Sequence, residues 1–352
     1  MSSEIRIGER TIGPGHPVFI VAELSANHGQ TFERAVELIH EAHAAGADAV
    51  KLQTYTPDTL TFDSEKGEFQ VGSSGPWAHR TLYELYSQAF TPWEWQPKLK
   101  EIAGSLKLPL FSSPFDFSAV EFLEKMDVPA YKIASFELVD LPLIKRVAAT
   151  GKPMIISTGM ASAEEISLAV SEARASGCDE IVLLKCTSAY PARPDEMNLK
   201  TIPHMSKLFE VPVGLSDHTL DITVPIAAVA LGAVLVEKHL TLTRAQPGPD
   251  SAFSLEPAEF KEMVNAVRIT ERALGEARYG PGGDEVRNLR FRRSLFVTQF
   301  IPAGAVLTPE NIRSIRPASG LPPKYYEQVL GRTAVKDIEP GTPLSWDLIG
   351  NG

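Results

Sequence analysis

The sequence has little cysteine and no apolar run long enough to cross a membrane. Cys178 and Cys186 are the only cysteines in 352 residues, which excludes a disulfide scaffold and favours a reduced setting with both thiols buried as small apolar groups. The longest apolar stretch, residues 224–236, is too short to span a bilayer. The first residues also lack the apolar segment of a secretory signal. We therefore predict a cytoplasmic protein with no membrane partner.

Positive charge is scarce as well, and it is unevenly distributed. The 34 Lys and Arg residues stand against 44 Asp and Glu, a net charge of −10, which argues against a general nucleic-acid binder. From residue 285 onward, nine basic and six acidic residues give +3, which leaves −13 on the preceding part. A Gly- and Pro-rich stretch, residues 275–283, precedes this change. We predict domains at residues 1–275 and 289–352, joined by a linker at 276–288.

Short β-branched runs alternate with helical patterns along the first 275 residues. The runs are almost continuously hydrophobic, as in parallel strands that are covered on both faces. Eight strand–helix units predict a (β/α)8 TIM barrel, with a hairpin at 5–13 covering its bottom and a long insertion at 57–97. A doubly wound sheet is the alternative, but the first turn lacks G-x-G-x-x-G. The predicted strands span residues 18–24, 48–55, 108–113, 130–135, 154–159, 180–188, 211–216 and 233–239.

Polar residues of catalytic type follow most of these strands. The carboxyl ends of barrel strands meet at the mouth, where active sites lie. A polar residue at the end of a single strand has an ordinary structural explanation, such as a serine that caps the next helix. Eight strands that all end in polar residues would need eight unrelated explanations of this kind. We therefore predict a catalytic cluster at the mouth. Its candidate members are Glu23, Lys51, Gln53, Ser113, Lys132, Ser135, Ser157, Ser188, Tyr190, His218 and His239.

Two lysines and four serines of this cluster form a predicted phosphate cradle, because phosphate accepts both charged and neutral donors. Lys51 and Lys132 would supply the charge. Lys132 and Ser135 are three residues apart, so their strand must end or bulge between them if both point inward. Glu23, a carboxylate among these cations, would act as a base or bind a hydroxyl group. The neutral donors are Ser113, Ser135, Ser157 and Ser188.

His218 and His239 end consecutive predicted strands, the seventh and the eighth. Neighbouring strands lie ~4.8 Å apart, so both imidazoles can reach one cation. Two histidines leave several coordination positions open, which suits Mn²⁺ or Mg²⁺ better than structural zinc. We predict that the adjacent acids Asp217 and Glu237 orient the two rings. The alternative is a pair of histidines held only by hydrogen bonds.

Two sets of short segments follow one another along the chain. Those of the predicted barrel are AELSANH, KLQTYTPDT, SSPFD, YKIASFE, IISTGM, KCTSAYP, GLSDHT, EKHLTLTR and PGPDSAFSLEP, and those after it are FRRSLFV, IPAGAVLT, NIRSIRP and GTPLSW. In order and spacing they resemble the sialic acid synthase family over nearly the whole chain, and AELSANH and LQTYTPDT are most similar to its pseudaminic acid branch. The second set resembles an antifreeze-like (SAF) domain, which implies a small β-rich domain after the barrel.

The resemblance implies a transferase that condenses phosphoenolpyruvate with 2,4-diacetamido-2,4,6-trideoxy-L-altrose and water, giving pseudaminic acid and phosphate by C–O cleavage. The alternatives within the family are N-acetylneuraminate and legionaminate synthases. Glu23, His218 and His239 would be catalytic, and the two histidines would hold a divalent metal, Mn²⁺ before Mg²⁺ or Co²⁺. The phosphoenolpyruvate ligands would be Lys51, Ser113, Lys132, Ser135, Ser157 and Ser188. The sugar ligands would be Gln53, Glu137, Tyr190, Asp250 and, from the partner chain of a domain-swapped homodimer, Arg316.

Two more distant functions remain open from the sequence. Lys185, near the end of the sixth predicted strand, could form a Schiff base in a class I aldolase. The antifreeze-like tail could instead belong to a non-catalytic protein that binds carbohydrate or ice. A pure binding protein, however, has no need for two histidines, two lysines and a glutamate at strand ends.

Overall fold

A computed structural model describes residues 4–72, 75, 77–246 and 248–350. The chain divides into two units, residues 1–275 and 276–352, and each is described by itself. Parts of the sequence predictions lie outside the described residues, namely both ends of the predicted domain ranges and Pro247 of the PGPDSAFSLEP segment. In the described part of the chain, no helix is long and apolar enough to cross a membrane.

Eight parallel strands close into a barrel in the first unit, as the sequence predicts. The barrel strands are β3 (Phe19–Glu23), β4 (Ala49–Thr54), β7 (Leu110–Pro114), β8 (Tyr131–Ile133), β9 (Met154–Ser157), β10 (Ile181–Cys186), β11 (Val213–Asp217) and β12 (Leu235–His239). Going round the barrel, their order is β10-β11-β12-β3-β4-β7-β8-β9, and β9 pairs with β10 to close it. Nearly every strand residue is buried, because the barrel interior covers one face and the surrounding helices the other.

The helices bury one apolar stripe each against these strands. In α1, buried residues such as Leu38, Ile39 and Ala42 recur at helical spacing, and the helix ends at Gly46 with φ +88°. The helices of this unit are α1 (Phe32–Ala45), α2 (Pro57–Leu60), α3 (Leu82–Ala89), α4 (Gln96–Ser105), α5 (Phe117–Lys125), α6 (Leu141–Ala148), α7 (Ala163–Ala175), α8 (Thr201–Phe209), α9 (Thr223–Ala230) and α10 (Pro257–Leu274).

The hairpin of β1 (Ile5–Ile7) and β2 (Arg10–Ile12) lies at the amino ends of the barrel strands. Arg10 pairs with Asp48, which immediately precedes β4, at 2.5 Å. The backbone N–H of Arg6 donates to Glu180, which immediately precedes β10. The hairpin therefore covers the barrel bottom, as predicted, and leaves the opposite end free for a site.

The insertion between β4 and β7 contains α2, the short pair β5 (Gln70–Val71) and β6 (Arg80–Thr81), α3 and α4. Its tryptophans attach it to the carboxyl end of the barrel. The Trp77 indole donates to the carbonyl of Pro249 at 2.7 Å, and the Trp93 indole donates to that of Tyr55 at 3.0 Å. Helix α3 begins with a capping box between Thr81 and Glu84, which fixes the residue at which the helix starts.

The second unit has a hydrophobic core of its own. Strands β13 (Ser294–Val297) and β14 (Ile312–Ile315) pair antiparallel, and isolated bridges link further extended segments. Leu295, Ile301 and Leu344 are among its fully buried residues. In the part of this unit that the structure describes, the α-helices are α11 (Glu285–Asn288) and α12 (Tyr326–Val329). A small β-rich unit after the barrel agrees with the predicted fold.

Candidate active site

A cavity of about 370 Å³ opens where the barrel strands end. One side is polar and carries lysines, histidines and hydroxyl groups, and the other is formed mainly by apolar side chains of the insertion. The structure brings most of the sequence-predicted site residues to this one space. Those that line it are Lys51, Gln53, Lys132, Ser135, Glu137, Ser157, Tyr190, His218, His239 and Asp250.

Four buried charges form the floor of the cavity. Lys51 Nζ lies 2.5 Å from Glu23 Oε2 and 3.7 Å from Glu237 Oε1, and Lys132 Nζ lies 3.7 Å from the same Glu237 oxygen. Ser216 Oγ donates to Glu237 at 3.1 Å. Two lysines and two glutamates thus compensate each other in a space from which water is largely excluded, so an incoming anion would compete with the carboxylates for the ammonium groups.

Burial and the neighbouring charged groups shift the pKa values of these four residues in opposite directions. Burial, which outweighs the attraction of Lys51, raises the pKa of Glu23 to about 7. Burial also lowers the pKa of Lys132, whereas for Lys51 the carboxylates of Glu23 and Glu237 outweigh burial and raise the pKa. For Glu237, Lys132 and Lys51 outweigh burial and lower the pKa. Glu23 is therefore the floor carboxylate that changes protonation state most readily near neutral pH.

Hydroxyl groups continue the floor beside Lys132. Strand β8 ends at Ile133 and a 3-10 helix begins at Ser135, which explains how Lys132 and Ser135 both reach the cavity. Ser135 Oγ accepts from the backbone N–H of Gly159 at 3.1 Å. Ser157 Oγ is buried without a hydrogen-bond partner among the described residues. A buried hydroxyl without a partner beside an ammonium group is suited to donate to an anion.

Gly159 keeps this row of hydroxyls in place. A Cβ atom there would lie 2.1 Å from Ser188 Oγ and 2.8 Å from Ser135 Oγ. Both atoms end short, flexible side chains, so in Gly159→Ala they would rotate away and the fold would survive. For phosphoenolpyruvate, the substrate that the sequence resemblance implies, we expect the KM to rise about 10- to 100-fold, because the hydrogen bond from Ser135 to a charged ligand is lost.

The matched control for this substitution is Gly104→Ala. Gly104 lies in α4, and its Cβ would meet no atom within 4 Å. Steady-state kinetics with a phosphate-release assay checks both variants. An unchanged KM in a folded Gly159→Ala protein would show that the hydroxyl row does not bind phosphoenolpyruvate.

The two predicted histidines are neighbours. Their ring centroids lie 5.3 Å apart. The ring of Tyr190 packs against His218 at 4.5 Å, and the ring of Phe253 packs against His239 at 5.0 Å. Nδ1 of His218 lies 3.1 Å from the Thr187 carbonyl. That carbonyl needs a donor, so the neutral ring carries its proton on Nδ1 and keeps a lone pair on Nε2.

This donor set fits two ligands of a divalent cation. His239 Nδ1 is buried and has no hydrogen-bond partner within the described ranges, and burial, with His218 adding to it, keeps the pKa of His239 well below its usual value. A neutral imidazole is the form that binds metal. No group of three or more His, Cys, Asp or Glu residues suited to a metal occurs in the described part of the chain, so water and substrate oxygens would complete the coordination shell.

The predicted role of Asp217 and Glu237 as orienters of the histidine rings is wrong. Asp217 accepts from Thr219 and pairs with the buried Lys238 at 2.5 Å. Glu237 bonds Ser216 and lies between the two floor lysines. The alternation of side chains along a strand explains both contacts. Glu237 points into the barrel, whereas Asp217 and Lys238, which are register partners on neighbouring strands, point outward and pair with each other.

The remaining polar residues line the space between floor and insertion. Gln53 donates to Glu23 Oε1 at 3.3 Å and to Ser25 Oγ at 3.1 Å. Ser25 in turn donates to Asp250, which also accepts from the Ala26 N–H at 3.2 Å. Glu137 Oε2 is buried and has no hydrogen-bond partner among the described residues, and burial raises the pKa of Glu137 to about 7. This region offers both acceptors and donors, as hydroxyl and amide groups of a sugar require.

Four predicted site residues do not line the cavity. Glu23 is fully buried beneath Lys51, and Ser113 accepts from Lys51 at 3.4 Å. Ser188 lies beside Cys186, with 3.8 Å between Oγ and Sγ. Arg316 is exposed in the second unit, directly after β14.

The lysine of the aldolase alternative lies outside this site. Lys185 is not among the residues that line the cavity, and its ammonium group donates to the Cys186 carbonyl at 2.7 Å and to Thr187 at 3.3 Å. The position gives no support to a Schiff base with a ligand bound in the cavity.

The sequence reasoning missed several residues of the site. Ser216 lines the cavity two positions before His218, so the alternation that placed this histidine could have placed it. Glu237 was predicted near the histidines, but its position between the two floor lysines was not. Cys186, expected to be only a buried apolar group, also lines the cavity, with its sulfur 3.9 Å from His218 Nδ1. No sequence signal indicated this contact or the contribution of Gly159.

Comparison with known proteins accounts for this arrangement. Residues 38–279 match the NeuB family and residues 292–350 match the SAF domain. The chain belongs to the NeuB family. NeuB-family synthases are metal-dependent enzymes that condense phosphoenolpyruvate, and their substrates are phosphoenolpyruvate and an amino sugar. The predicted family and the predicted SAF domain are both confirmed.

Individual relatives of this NeuB-family chain match almost its whole length. It is 46% identical to a pseudaminic acid synthase from Campylobacter jejuni, over 93% of this chain and 95% of that protein. It is 36% identical to an N,N'-diacetyllegionaminic acid synthase from Legionella pneumophila, over 97% of each chain. The predicted similarity to the pseudaminic branch is confirmed.

A solved relative supports the same fold. The crystal structure of an N-acetylneuraminic acid synthetase from Leptospira borgpetersenii, in complex with citrate, matches with a TM-score of 0.73 and 33% identity. The match covers 83% of this chain and 97% of that one.

Proposed function

We propose that this protein condenses phosphoenolpyruvate with 2,4-diacetamido-2,4,6-trideoxy-L-altrose and water, giving pseudaminic acid and phosphate. The observation that carries the proposal is its 46% identity to a pseudaminic acid synthase over 93% of the chain. The cavity supports it chemically, because an anion site of two lysines and several hydroxyls adjoins a histidine pair. We place the activity in the cytoplasm, in a protein divided into a barrel domain at 1–275, a linker at 276–288 and an SAF domain at 289–352.

The floor residues would bind phosphoenolpyruvate. Lys51 and Lys132 neutralise its charge, and Ser135 and Ser157 donate to it at the cavity surface. The buried hydroxyls of Ser113 and Ser188 support this layer from behind. When the anion engages Lys51, Glu23 loses part of its ion pair, so its carboxylate gains affinity for a proton. From its buried place behind Lys51 and Gln53, which contact it, Glu23 would take up the proton released when water adds to carbon 2 of phosphoenolpyruvate.

The opposite side would bind the open-chain sugar. Gln53, Glu137, Tyr190 and Asp250 offer the donors and acceptors that its hydroxyl and acetamido groups require. His218 and His239 would hold a divalent metal, for which we propose Mn²⁺ before Mg²⁺ or Co²⁺. Such a metal supplies Lewis-acid polarisation of the sugar aldehyde. The two rings orient that end of the sugar toward carbon 3 of phosphoenolpyruvate.

Arg316 would complete the sugar site from the other chain of a domain-swapped homodimer. It is exposed, and no ion pair joins it to a carboxylate of its own unit in the described part of the chain. We expect Arg316→Ala to raise the sugar KM or to lower kcat about tenfold and to leave the phosphoenolpyruvate KM unchanged. Arg313→Ala, at an exposed position on β14, is the control. Unchanged sugar kinetics in Arg316→Ala would exclude this role.

Phosphate release tests the activity directly. The full chain with Mn²⁺ and phosphoenolpyruvate receives in turn the altrose derivative, N-acetylmannosamine and the sugar precursor of legionaminic acid. We expect the highest kcat/KM with the altrose derivative. A preference for either other sugar would assign the chain to that branch, and no phosphate release with any of them would favour a carbohydrate-binding protein instead.

A further inference from the structure

The cavity has an apolar side that no step of the proposed reaction uses. It consists of Tyr55, Leu82, Leu85, Tyr86 and Phe115, which together we call the apolar wall. The ring of Tyr55 packs edge-on against Tyr86 at 5.7 Å and against Phe115 at 5.2 Å. Tyr55 and Leu85 are buried, and all five residues face the cavity. The wall is therefore preformed rather than a loose rim.

The barrel places this wall across the mouth from the histidines. His218 follows β11 and His239 ends β12, whereas Tyr55 follows β4 and Phe115 follows β7. Since the strand order is β11-β12-β3-β4-β7, Phe115 follows the strand opposite that of His218, and Tyr55 follows the second strand from that of His239. Helix α3 of the insertion adds Leu82, Leu85 and Tyr86 on the same side. A ligand whose reacting end lies at the histidines can therefore reach the wall with its other end.

Such a surface discriminates between the ends of otherwise similar sugars. A methyl group gains from burial against leucine and aromatic side chains. A hydroxyl group packed against Leu82, Leu85 or Phe115 would lose its hydrogen bonds to water, because these side chains offer no polar atom in return. Most sugars carry a hydroxyl on carbon 6, so this part of the wall favours a sugar whose far end lacks one.

We propose that the apolar wall binds the terminal methyl group, carbon 6, of an open-chain 6-deoxy sugar and makes the enzyme selective for 6-deoxy substrates. The inference rests on the proposed function, since it assumes that the aldehyde end of the sugar lies at His218 and His239. Leu82 is its specificity-determining residue. It is half-buried at the first position of α3, so it can be changed without removing a fully buried core side chain.

A pair of sugars that differ by one hydroxyl group tests the proposal on the unmodified chain. The first is 2,4-diacetamido-2,4,6-trideoxy-L-altrose, and the second is the same compound with a hydroxyl on carbon 6. We expect kcat/KM to be about 100-fold higher for the deoxy sugar, the discrimination typical of an apolar pocket against an added hydroxyl. Values within twofold of each other would overturn the proposal, even though phosphate release would still support the proposed function.

Substitutions of Leu82 then locate the selectivity. Leu82→Asn keeps the size and adds polar atoms, whereas Leu82→Met keeps the surface apolar and is the matched control. We expect the ratio between the two sugars to fall at least tenfold in Leu82→Asn and to persist in Leu82→Met, with the phosphoenolpyruvate KM unchanged in both. An unchanged ratio in a folded Leu82→Asn protein would refute the role of the wall. Absence of phosphate release with either sugar would instead remove the proposed function, and this inference with it.

Discussion

Replacing His239 by alanine is expected to lower kcat/KM roughly 1,000-fold or more. The loss follows from removing one of two imidazoles that would hold the cation, since metal polarisation of a carbonyl contributes several kcal/mol and each ~1.4 kcal/mol is a factor of ten. His218→Ala should have the same effect, because the rings lie 5.3 Å apart and serve one ion. Phosphate release in the presence of Mn²⁺ measures both variants.

The control for the histidine variants is His204→Ala, since His204 is exposed on α8, away from the cavity. Thermal unfolding shows whether each variant keeps its fold, and titration with Mn²⁺ followed by electron paramagnetic resonance reports metal binding without turnover. We expect the wild-type and His204→Ala proteins to bind Mn²⁺ and both site variants to lose it. Near-normal turnover of either site variant in added Mn²⁺ would exclude the metal assignment.

Replacing Lys132 by methionine is expected to raise the KM for phosphoenolpyruvate about 100-fold. Lys132 is 2% exposed, and a buried hydrogen bond to a charged ligand contributes about 1.5–3 kcal/mol. The fold should survive, because methionine has similar length and Glu237 keeps Lys51 as a partner at 3.7 Å. Binding of phosphoenolpyruvate by calorimetry separates this effect from a loss of sugar binding.

Lys185→Met is the matched control, and it also tests the aldolase alternative. Lys185 lies on a barrel strand like Lys132, but it does not line the cavity, and its ammonium group bonds the backbone carbonyl of Cys186. We expect wild-type kinetics from this variant and no borohydride trapping of pyruvate on the unmodified chain. If Lys185→Met abolished turnover and pyruvate were trapped, the reaction would proceed through a Schiff base and our assignment of the site would be wrong.

Much of the fold follows from local sequence patterns. Continuous hydrophobic runs between amphipathic helices predict parallel strands, and eight such units predict a closed barrel. Helices α1 (Phe32–Ala45) and α10 (Pro257–Leu274) each bury one apolar face, as the helical patterns between the strands predict. The predicted strand 130–135 is too long, since the chain turns into a 3-10 helix at Ser135. Strand ends depend on where pairing stops, which residue preferences do not specify.

The histidine pair and the floor lysines were also predictable, because alternation along a strand and adjacency of consecutive strands are both encoded locally. His218 and His239 needed only strands seven and eight to be neighbours. Lys51 and Gln53 needed only a shared face of β4. Alternation specifies on which face of the strand a side chain lies, and the order of the strands in the chain specifies which strand is its neighbour.

Only the tertiary structure decided what meets across the barrel. Glu237 lies between Lys51 and Lys132, which come from strands that are not its neighbours. Gly159 leaves room for Ser135 and Ser188, and the apolar wall joins the insertion to the ends of β4 and β7. The physical reason is that these contacts depend on barrel closure and on the path of a long insertion. The sequence alone therefore determined the barrel and the polar residues at its mouth, whereas the folded chain determined how their charges are paired and which side of the cavity is apolar.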